Sequence, residues 1–298
     1  MSIVAILLPD FLLVVLGWLL FRIGRFGKEF WPGLEKLVYF VLFPTLLFKV
    51  TAQAKIDLAA APSFIATAVA AALAAIALGM AARRLLRLPA PAFASAFQCA
   101  FRFNSYIGIA IADRVYGESG IAAFALMQAV MAPLVNAVAV WALARHGNFG
   151  LVRELTRNPL IVATVAGLIW NAAGIPLPHV AAHTLGLVAQ SALPLGLIAV
   201  GAGLRLSGAL SAGGTIAYFS TIKLALQPAA ALLLAHFFGL SGVFFGVAVT
   251  FAALPASPSS YILATRMGGD GELVARILAV QIIAAAVTLP LWLYVIGL

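Results

Sequence analysis

The sequence predicts an all-α polytopic membrane protein: ten transmembrane helices in two inverted five-helix repeats. Three observations predict it. Of 298 residues, 64% are hydrophobic and 9% charged, whereas soluble domains run nearer half apolar and a quarter charged. The apolar residues gather into ten runs, and a hydrocarbon core is crossed by roughly 20 such residues. Polar and proline signatures of the first half recur in the same order in the second.

The ten runs cover 4–23, 37–53, 61–82, 91–112, 120–144, 158–174, 187–204, 215–238, 242–264 and 277–297. The first lacks a preceding basic stretch and is too long for the apolar part of a signal peptide, so it is expected to stay as a helix. Residues 1–145 form the first repeat, 146–157 a short cytoplasmic linker and 158–298 the second repeat. No polar stretch is long enough to be a soluble domain.

The net charge of +9 would suggest nucleic acid in a soluble protein. Here the basic residues sit in short loops between apolar runs, where they set orientation at the anionic cytoplasmic leaflet. Odd-numbered loops hold Arg22, Arg25, Lys28, Lys36, Arg83, Arg84, Arg87, Arg145, Arg153, Arg157, Arg205, Arg266 and Arg276; even-numbered loops hold only Lys55 and Arg114. Odd loops therefore face the cytoplasm and both termini lie outside; the expected location is a bacterial cytoplasmic membrane.

The repeat is carried by Pro9 and Pro159, Pro44 and Pro194, Gln128 and Gln281, and Pro133 and Pro290. It is carried also by Asn104-Ser105-Tyr106-Ile107 against Ser259-Ser260-Tyr261-Ile262. Five spans is an odd number, so the second half enters from the opposite side. Inverted repeats are the plan of many secondary transporters, with the site near the midplane at the repeat interface.

The chemistry is expected in spans 4 and 9, both polar at mid-membrane. Pro255 and Pro258 lack an N–H and clash with the preceding turn, so span 9 should break there. Unwound backbone at that depth must be buried or line a cavity. A broken helix presents a half-helix N-terminus that favours an anion. Asn104, Ser105, Tyr106, Ser257, Ser259 and Ser260 are the expected substrate-binding residues; the Ser and Asn side chains could equally serve only to join helices.

Arg102 and Lys223 are intramembrane cations, functional candidates by default. Each either attracts an anionic substrate or has a local role, Arg102 reaching the interface and Lys223 pairing with carbonyls at the break. Gln98, Gln128 and Gln281 are supporting candidates that bond freed carbonyls or simply pack. Pro44 and Pro194 are expected to kink the scaffold spans 2 and 7. His146, His179 and His183 read as loop or interface residues.

No cofactor or metal site is expected: Cys99 is the one cysteine, too few for a cysteine-based zinc site. Motifs of zinc proteases, serine hydrolases and nucleotide-binding loops are missing from the sequence. Two alternatives to transport are an intramembrane serine hydrolase built on Ser259 or Ser260 and a membrane sensor without transport.

Residues along the whole chain resemble the auxin efflux carrier family, which includes plant PIN-FORMED carriers and bacterial malonate- or malate-permease-like proteins. They are Leu37-Val38-Tyr39-Phe40-Val41-Leu42-Phe43-Pro44, Phe101-Arg102-Phe103-Asn104-Ser105-Tyr106-Ile107-Gly108, Tyr116-Gly117-Glu118, Asn158-Pro159, Leu193-Pro194-Leu195-Gly196, Lys223 to Pro228 and Leu254-Pro255-Ala256. The resemblance implies a fold similar to bile-acid symporters and sodium/proton antiporters. Spans 1, 2, 6 and 7 would form a scaffold and homodimer surface. Spans 3–5 and 8–10 would form a transport domain in which broken spans 4 and 9 cross. It implies elevator-like movement of an organic anion, with Asn104 contacting its carboxylate. Ser259 stands where plant members have a second asparagine, and span 4 lacks their proline, which favours a small metabolite anion over auxin.

The topology is testable. A C-terminal reporter active only in the cytoplasm should be silent; strong activity would overturn the arrangement with both termini outside.

Overall fold

A computed structural model describes residues 3–27, 29–53, 61–143, 159–204 and 213–298. The linker 146–157, Lys28, Lys55, Arg145, His146, Arg153, Arg157, Asn158 and Arg205 lie outside the described residues, as do the side chains of Asp10, Pro133, Ile262 and Arg266. All regular structure among the described residues is helical. Five stretches are long and apolar enough to cross a membrane: Ala61–Leu85, Ala90–Leu143, His179–Ala202, Gly213–Phe237 and Gly271–Val295. Shorter apolar helices run over Phe11–Ile23, Val162–Ala172 and Gly242–Ala253. The chain is an integral membrane protein by this composition, since only lipid accommodates that much outward-facing apolar surface.

The chain divides into two compact units. The first comprises Met1–Asp57, Ile109–Val130 and Val152–Gly203. It contains α1 (Ile3–Ile23), α2 (Phe30–Leu37), α3 (Phe43–Gln53), the middle of α6 (Ser105–Leu143), α7 (Pro159–Ala172), α8 (His179–Gln190) and α9 (Ala192–Ala202). A π-turn over Val38–Leu42 joins α2 to α3. It ends two residues before Pro44, which cannot donate to the carbonyl four residues back, so the helix is locally unwound rather than ended. Pro194 acts similarly: α8 stops at Gln190 and α9 restarts at Ala192. Helix α8 begins at His179, eight residues ahead of the expected span. His179 and His183 therefore lie on an exposed helix and not in a loop. Two histidines and a threonine interrupt the apolar run over these turns, which is why run length alone starts the span too late.

Small residues set the packing of this unit, as expected where lipid removes the hydrophobic incentive for helices to associate. A β-carbon at Gly17 would overlap the Ile198 carbonyl, one at Gly201 the Val14 carbonyl, and one at Gly167 the Thr51 hydroxyl. These glycines let α1 approach α9 and α3 approach α7 backbone to backbone. Within α6, Gly117 takes φ +62°, which interrupts the helix and divides it into two legs. Gly120 then packs on the Ala112 carbonyl, closing the turn.

The second unit comprises Leu58–Gly108, Met131–Leu151 and Leu204–Leu298. It contains α4 (Ala61–Leu85), α5 (Ala90–Phe97), both ends of α6, α10 (Gly213–Thr221), α11 (Gln227–Phe237), α12 (Gly242–Ala253), α13 (Ser259–Arg266) and α14 (Gly271–Val295). Buried alanines on α4, at 68, 71, 72 and 75, give it a narrow face against α11 and α12. Phe64 stacks on Phe244 at 4.4 Å between ring centres. A second π-turn, Ile222–Leu226, precedes Pro228. The Leu224 carbonyl that Pro228 cannot serve accepts the Trp292 indole N–H at 2.8 Å.

The glycine contacts make a prediction. Gly201→Ala should lower stability by about 1–3 kcal/mol through forced separation of α1 and α9. Gly213→Ala, with open space around the new carbon, should not. Thermal unfolding of the purified variants reads the difference, and equal melting temperatures would refute the close approach.

Candidate functional site

The second unit contains two helix interruptions. In the first, α5 ends at Phe97, a tight 3₁₀ turn covers Gln98–Ala100, and non-helical backbone continues to Asn104 before α6 starts at Ser105. In the second, α12 ends at Ala253, non-helical backbone covers Leu254–Ser257, and α13 starts at Ser259. The two interruptions bond to each other: the Asn104 backbone N–H donates to the Pro255 carbonyl at 2.8 Å. Pro255 and Pro258 account for the second break through their missing N–H groups. The first contains no proline. There Asn104 itself starts the next helix, its Oδ1 accepting from the backbone N–H of Tyr106 at 3.0 Å and of Ile107 at 3.2 Å. That is the N-cap geometry in which a side-chain oxygen replaces a helical carbonyl.

Gln281, on α14, secures both breaks. Its Oε1 accepts from the Ala256 N–H at 2.9 Å, and its Nε2 donates to the carbonyls of Cys99 at 3.1 Å and Phe219 at 3.4 Å. Gln98 adds a second link, donating to the Ser260 carbonyl at 3.1 Å. Unpaired backbone groups cost several kcal/mol each in hydrocarbon, and these two glutamines remove that cost.

Arg102 is 6% exposed. It donates to Gln98 Oε1 at 3.0 Å and to the Ser259 hydroxyl at 2.7 Å. Ser259 Oγ in turn lies 2.8 Å from Ser257 Oγ. Gln98, Asn104, Ser260 and Gln281 are each 0% exposed, yet Asn104 Nδ2 and Ser260 Oγ have no hydrogen-bond partner. Buried polar groups are nearly always paired, so two orphans at one junction mark a place suited to a ligand's polar atoms.

The half-helix N-termini are less open than their sequence implies. At α6 the Asn104 cap occupies two amides. At α13 the Ser259 N–H reaches Ser257 Oγ, and the N–H groups of Ser260 and Tyr261 reach the carbonyls of Ser257 and Pro258. Side-chain donors, more than bare backbone amides, are available at this junction. Ser105 and Tyr106 form the first turn of α6 and are half-buried.

Lys223 is buried and belongs to the rear of the second break. Its ammonium donates to the Ala252 carbonyl at 2.8 Å and to Gln227 Oε1 at 2.5 Å. Ala252 is in the last turn of α12, so the charge sits at the negative end of that helix dipole. Gln227 was not a sequence candidate, although its i+4 spacing from Lys223 signals a helical pair. Ser95, which accepts the Asp270 N–H at 2.7 Å and so fixes the start of α14, was not a candidate either, because a lone serine carries no pattern. Pro44, Gln128 and Pro194 lie in the first unit and are not part of this hydrogen-bonded set; Gln128 is buried with its Oε1 unpartnered. Among the described residues no group of acids, cysteines and histidines is arranged to hold a metal ion.

Gln281→Leu should strand the Ala256 N–H and the Cys99 carbonyl and lower stability by about 2–4 kcal/mol, from roughly 1–3 kcal/mol per stranded group. Denaturant unfolding in micelles measures it, and an unchanged midpoint would show that these bonds contribute nothing.

Comparison with known proteins agrees with the resemblance read from the motifs. The family described as "Membrane transport protein" matches residues 143–293. The "Uncharacterized transporter YfdV" of Escherichia coli K12 is 28% identical over 203 residues, covering 64% of this chain. The chain spans 63% of that relative's length. A Rhizobium meliloti protein, provisionally named a malonate transporter, is 24% identical over 99% of this chain and 96% of its own. A protein of Methanothermobacter thermautotrophicus named an uncharacterized transporter is 23% identical over 94% of each chain. With a family match over half its length and transporter-named relatives along the rest, the chain belongs to this membrane transport protein family, the auxin efflux carrier family.

Proposed function

We propose that the protein is a secondary-active or potential-driven transporter of small organic anions, mono- or dicarboxylates, and not an enzyme. The observation that carries this reading is the pair of buried, unpartnered groups, Asn104 Nδ2 and Ser260 Oγ, at the junction of two interrupted helices. Both can donate to a carboxylate oxygen. Ser105, Ser257 and Ser259 supply further hydroxyls beside them. Arg102 or Lys223 supplies positive charge in the buried interior of this unit. The malonate in the Rhizobium relative's provisional name is consistent with a short dicarboxylate.

The ten spans form two inverted repeats in this reading, with both termini outside a bacterial cytoplasmic membrane. Spans 1, 2, 6 and 7 act as a scaffold through which two copies dimerise. Spans 3–5 and 8–10 carry the anion in an elevator-type movement. The grouping of α1, α3, α7 and α9 in one compact unit and of α4, α5 and α10–α14 in the other supports that division of labour for these helices, whereas the middle of α6, Ile109–Val130, falls with the first unit. Spans 3–5 and 8–10 hold almost no intramembrane carboxylate for a coupling cation, Asp113 standing at an edge. This scarcity favours membrane potential over a coupled cation as the driving force for an anion.

The test is thermal stabilisation of the purified protein by a panel of small carboxylates and amino acids, repeated with Asn104→Ala. A ligand that binds only the folded state at 100 times its Kd adds about 2.7 kcal/mol. A carboxylate should raise the melting temperature of the native protein and not of the variant. Absence of any anion-dependent shift in folded protein would sink this reading.

A further inference from the structure

We infer that the turn joining α1 to α2 binds the headgroup of an anionic phospholipid, with Arg22 and Arg25 on its phosphate and Phe26 and Phe30 against its glycerol and upper acyl chains. The turn belongs to the first unit, and the inference needs no substrate. Helix α1 covers 21 residues, about 30 Å at 1.5 Å per residue, which matches the hydrocarbon core. Helix α2, the π-turn and α3 continue without a gap from Phe30 to Gln53, about 36 Å of helix. Span 2 therefore begins about two turns ahead of its apolar run at residue 37, and those turns stand at headgroup depth. In the topology expected from loop charge, they face the cytoplasmic leaflet, whose lipids are anionic.

Aromatic rings hold the turn in shape. After α1 ends at Ile23, Gly24 takes φ +71° and turns the chain. Phe26 stacks on Phe30 with ring centres 4.7 Å apart, and Trp31 meets both edge-on, at 5.9 and 5.1 Å. Trp31 also lies 6.0 Å from the Phe21 ring of α1. Trp31 and Leu34 are buried, whereas Phe26 and Phe30 are exposed. An exposed apolar face beside basic side chains is the signature of a segment seated at the lipid boundary.

The cations stand on the same turn. Arg22 lies over the Trp18 ring, 4.7 Å from its centre, and is exposed. Attraction to a ring face holds the guanidinium at the surface while its N–H groups remain donors to oxygen. Arg25 follows three residues later and is exposed as well. Guanidinium groups suit phosphate oxygens in geometry and in charge. In sequence, residues 22–36 hold four basic residues against two acids, Glu29 and Glu35, so the surface keeps a positive balance. Rings alone suit any lipid, and guanidiniums alone suit any phosphate; the two together fit a molecule that joins negative charge to apolar chains. The basic turn after α4 differs: Arg83, Arg84 and Arg87 are there, but no aromatic residue stands between Arg83 and Ala90.

The experiment titrates the full-length protein in detergent with phosphatidylglycerol, with phosphatidylcholine of the same acyl chains, and with inorganic phosphate. Native mass spectrometry and thermal shift read the binding. Phosphatidylglycerol should bind at least about tenfold more tightly than phosphatidylcholine, whose phosphate charge is neutralised by its choline; that is the range of one charged hydrogen-bonding partner. Arg22→Gln combined with Arg25→Gln should erase the preference, and each single variant should reduce it. Phe30→Ala should weaken both lipids alike. Arg83→Gln combined with Arg84→Gln should leave the preference intact. Should the Arg22 and Arg25 double variant fail to fold, the single variants carry the test. A preference unchanged by the Arg22 and Arg25 substitutions overturns the inference. So does an equal loss in the Arg83 and Arg84 variant, which would reduce the site to net charge. Inorganic phosphate that raises the melting temperature as far as phosphatidylglycerol does would make a free anion the occupant, and that too overturns the lipid assignment.

Discussion

Gln281 holds the junction together. A helix interrupted inside a bilayer frees N–H and C=O groups that have no water to bond to. The two interrupted helices meet through a direct backbone bond, Asn104 N–H to Pro255 carbonyl. The amide of Gln281 supplies what that bond cannot, one acceptor to the second break and donors to the first break and to α10. One side chain on an uninterrupted helix thus connects three otherwise separate pieces of backbone. The polar site can exist only because this scaffold satisfies its own groups first and leaves Asn104 Nδ2 and Ser260 Oγ over.

The same accounting explains the prolines. Each removes a donor and leaves an acceptor, and the fold answers each differently. Pro255 and Pro258 end a helix and create the second break. Pro228 leaves the Leu224 carbonyl, which Trp292 takes from a neighbouring helix, so the chain stays helical through a π-turn. Pro44 comes after a π-turn of the same length, and Pro194 leaves a jog at Ser191. A proline in a membrane span therefore states that a bond is missing but not how the chain responds; the response depends on which donor another helix brings to the orphaned carbonyl.

Much of the junction's backbone was legible. The recurrence of Asn104-Ser105-Tyr106 and Ser259-Ser260-Tyr261 pointed to the two helix breaks, and proline chemistry predicted the second. The first was harder, since nothing in Phe101-Arg102-Phe103-Asn104 forbids a helix. It is broken because Asn104 caps α6 and turns its own N–H to Pro255, a partner about 150 residues away. The roles of the two cations were equally undecidable from sequence. Lys223 and Arg102 both read as charged residues in apolar spans, and only their acceptors distinguish them: a helix end for one, an exposed hydroxyl for the other.

By itself the sequence determined that this is a helical membrane protein, because hydrophobic run length and loop charge act locally and need no folded partner. It also determined where the backbone would be polar at depth, because proline and repeated hydrogen-bonding residues announce themselves at their own positions. Tertiary structure alone decided which of those polar groups cancel one another and which remain. That balance is set by long-range pairs, Gln98 with Ser260, Gln281 with Cys99 and Ala256, and Arg102 with Ser259. A hydrogen bond forms between atoms brought within about 3 Å, and along a chain 298 residues long no local pattern fixes which atoms those will be.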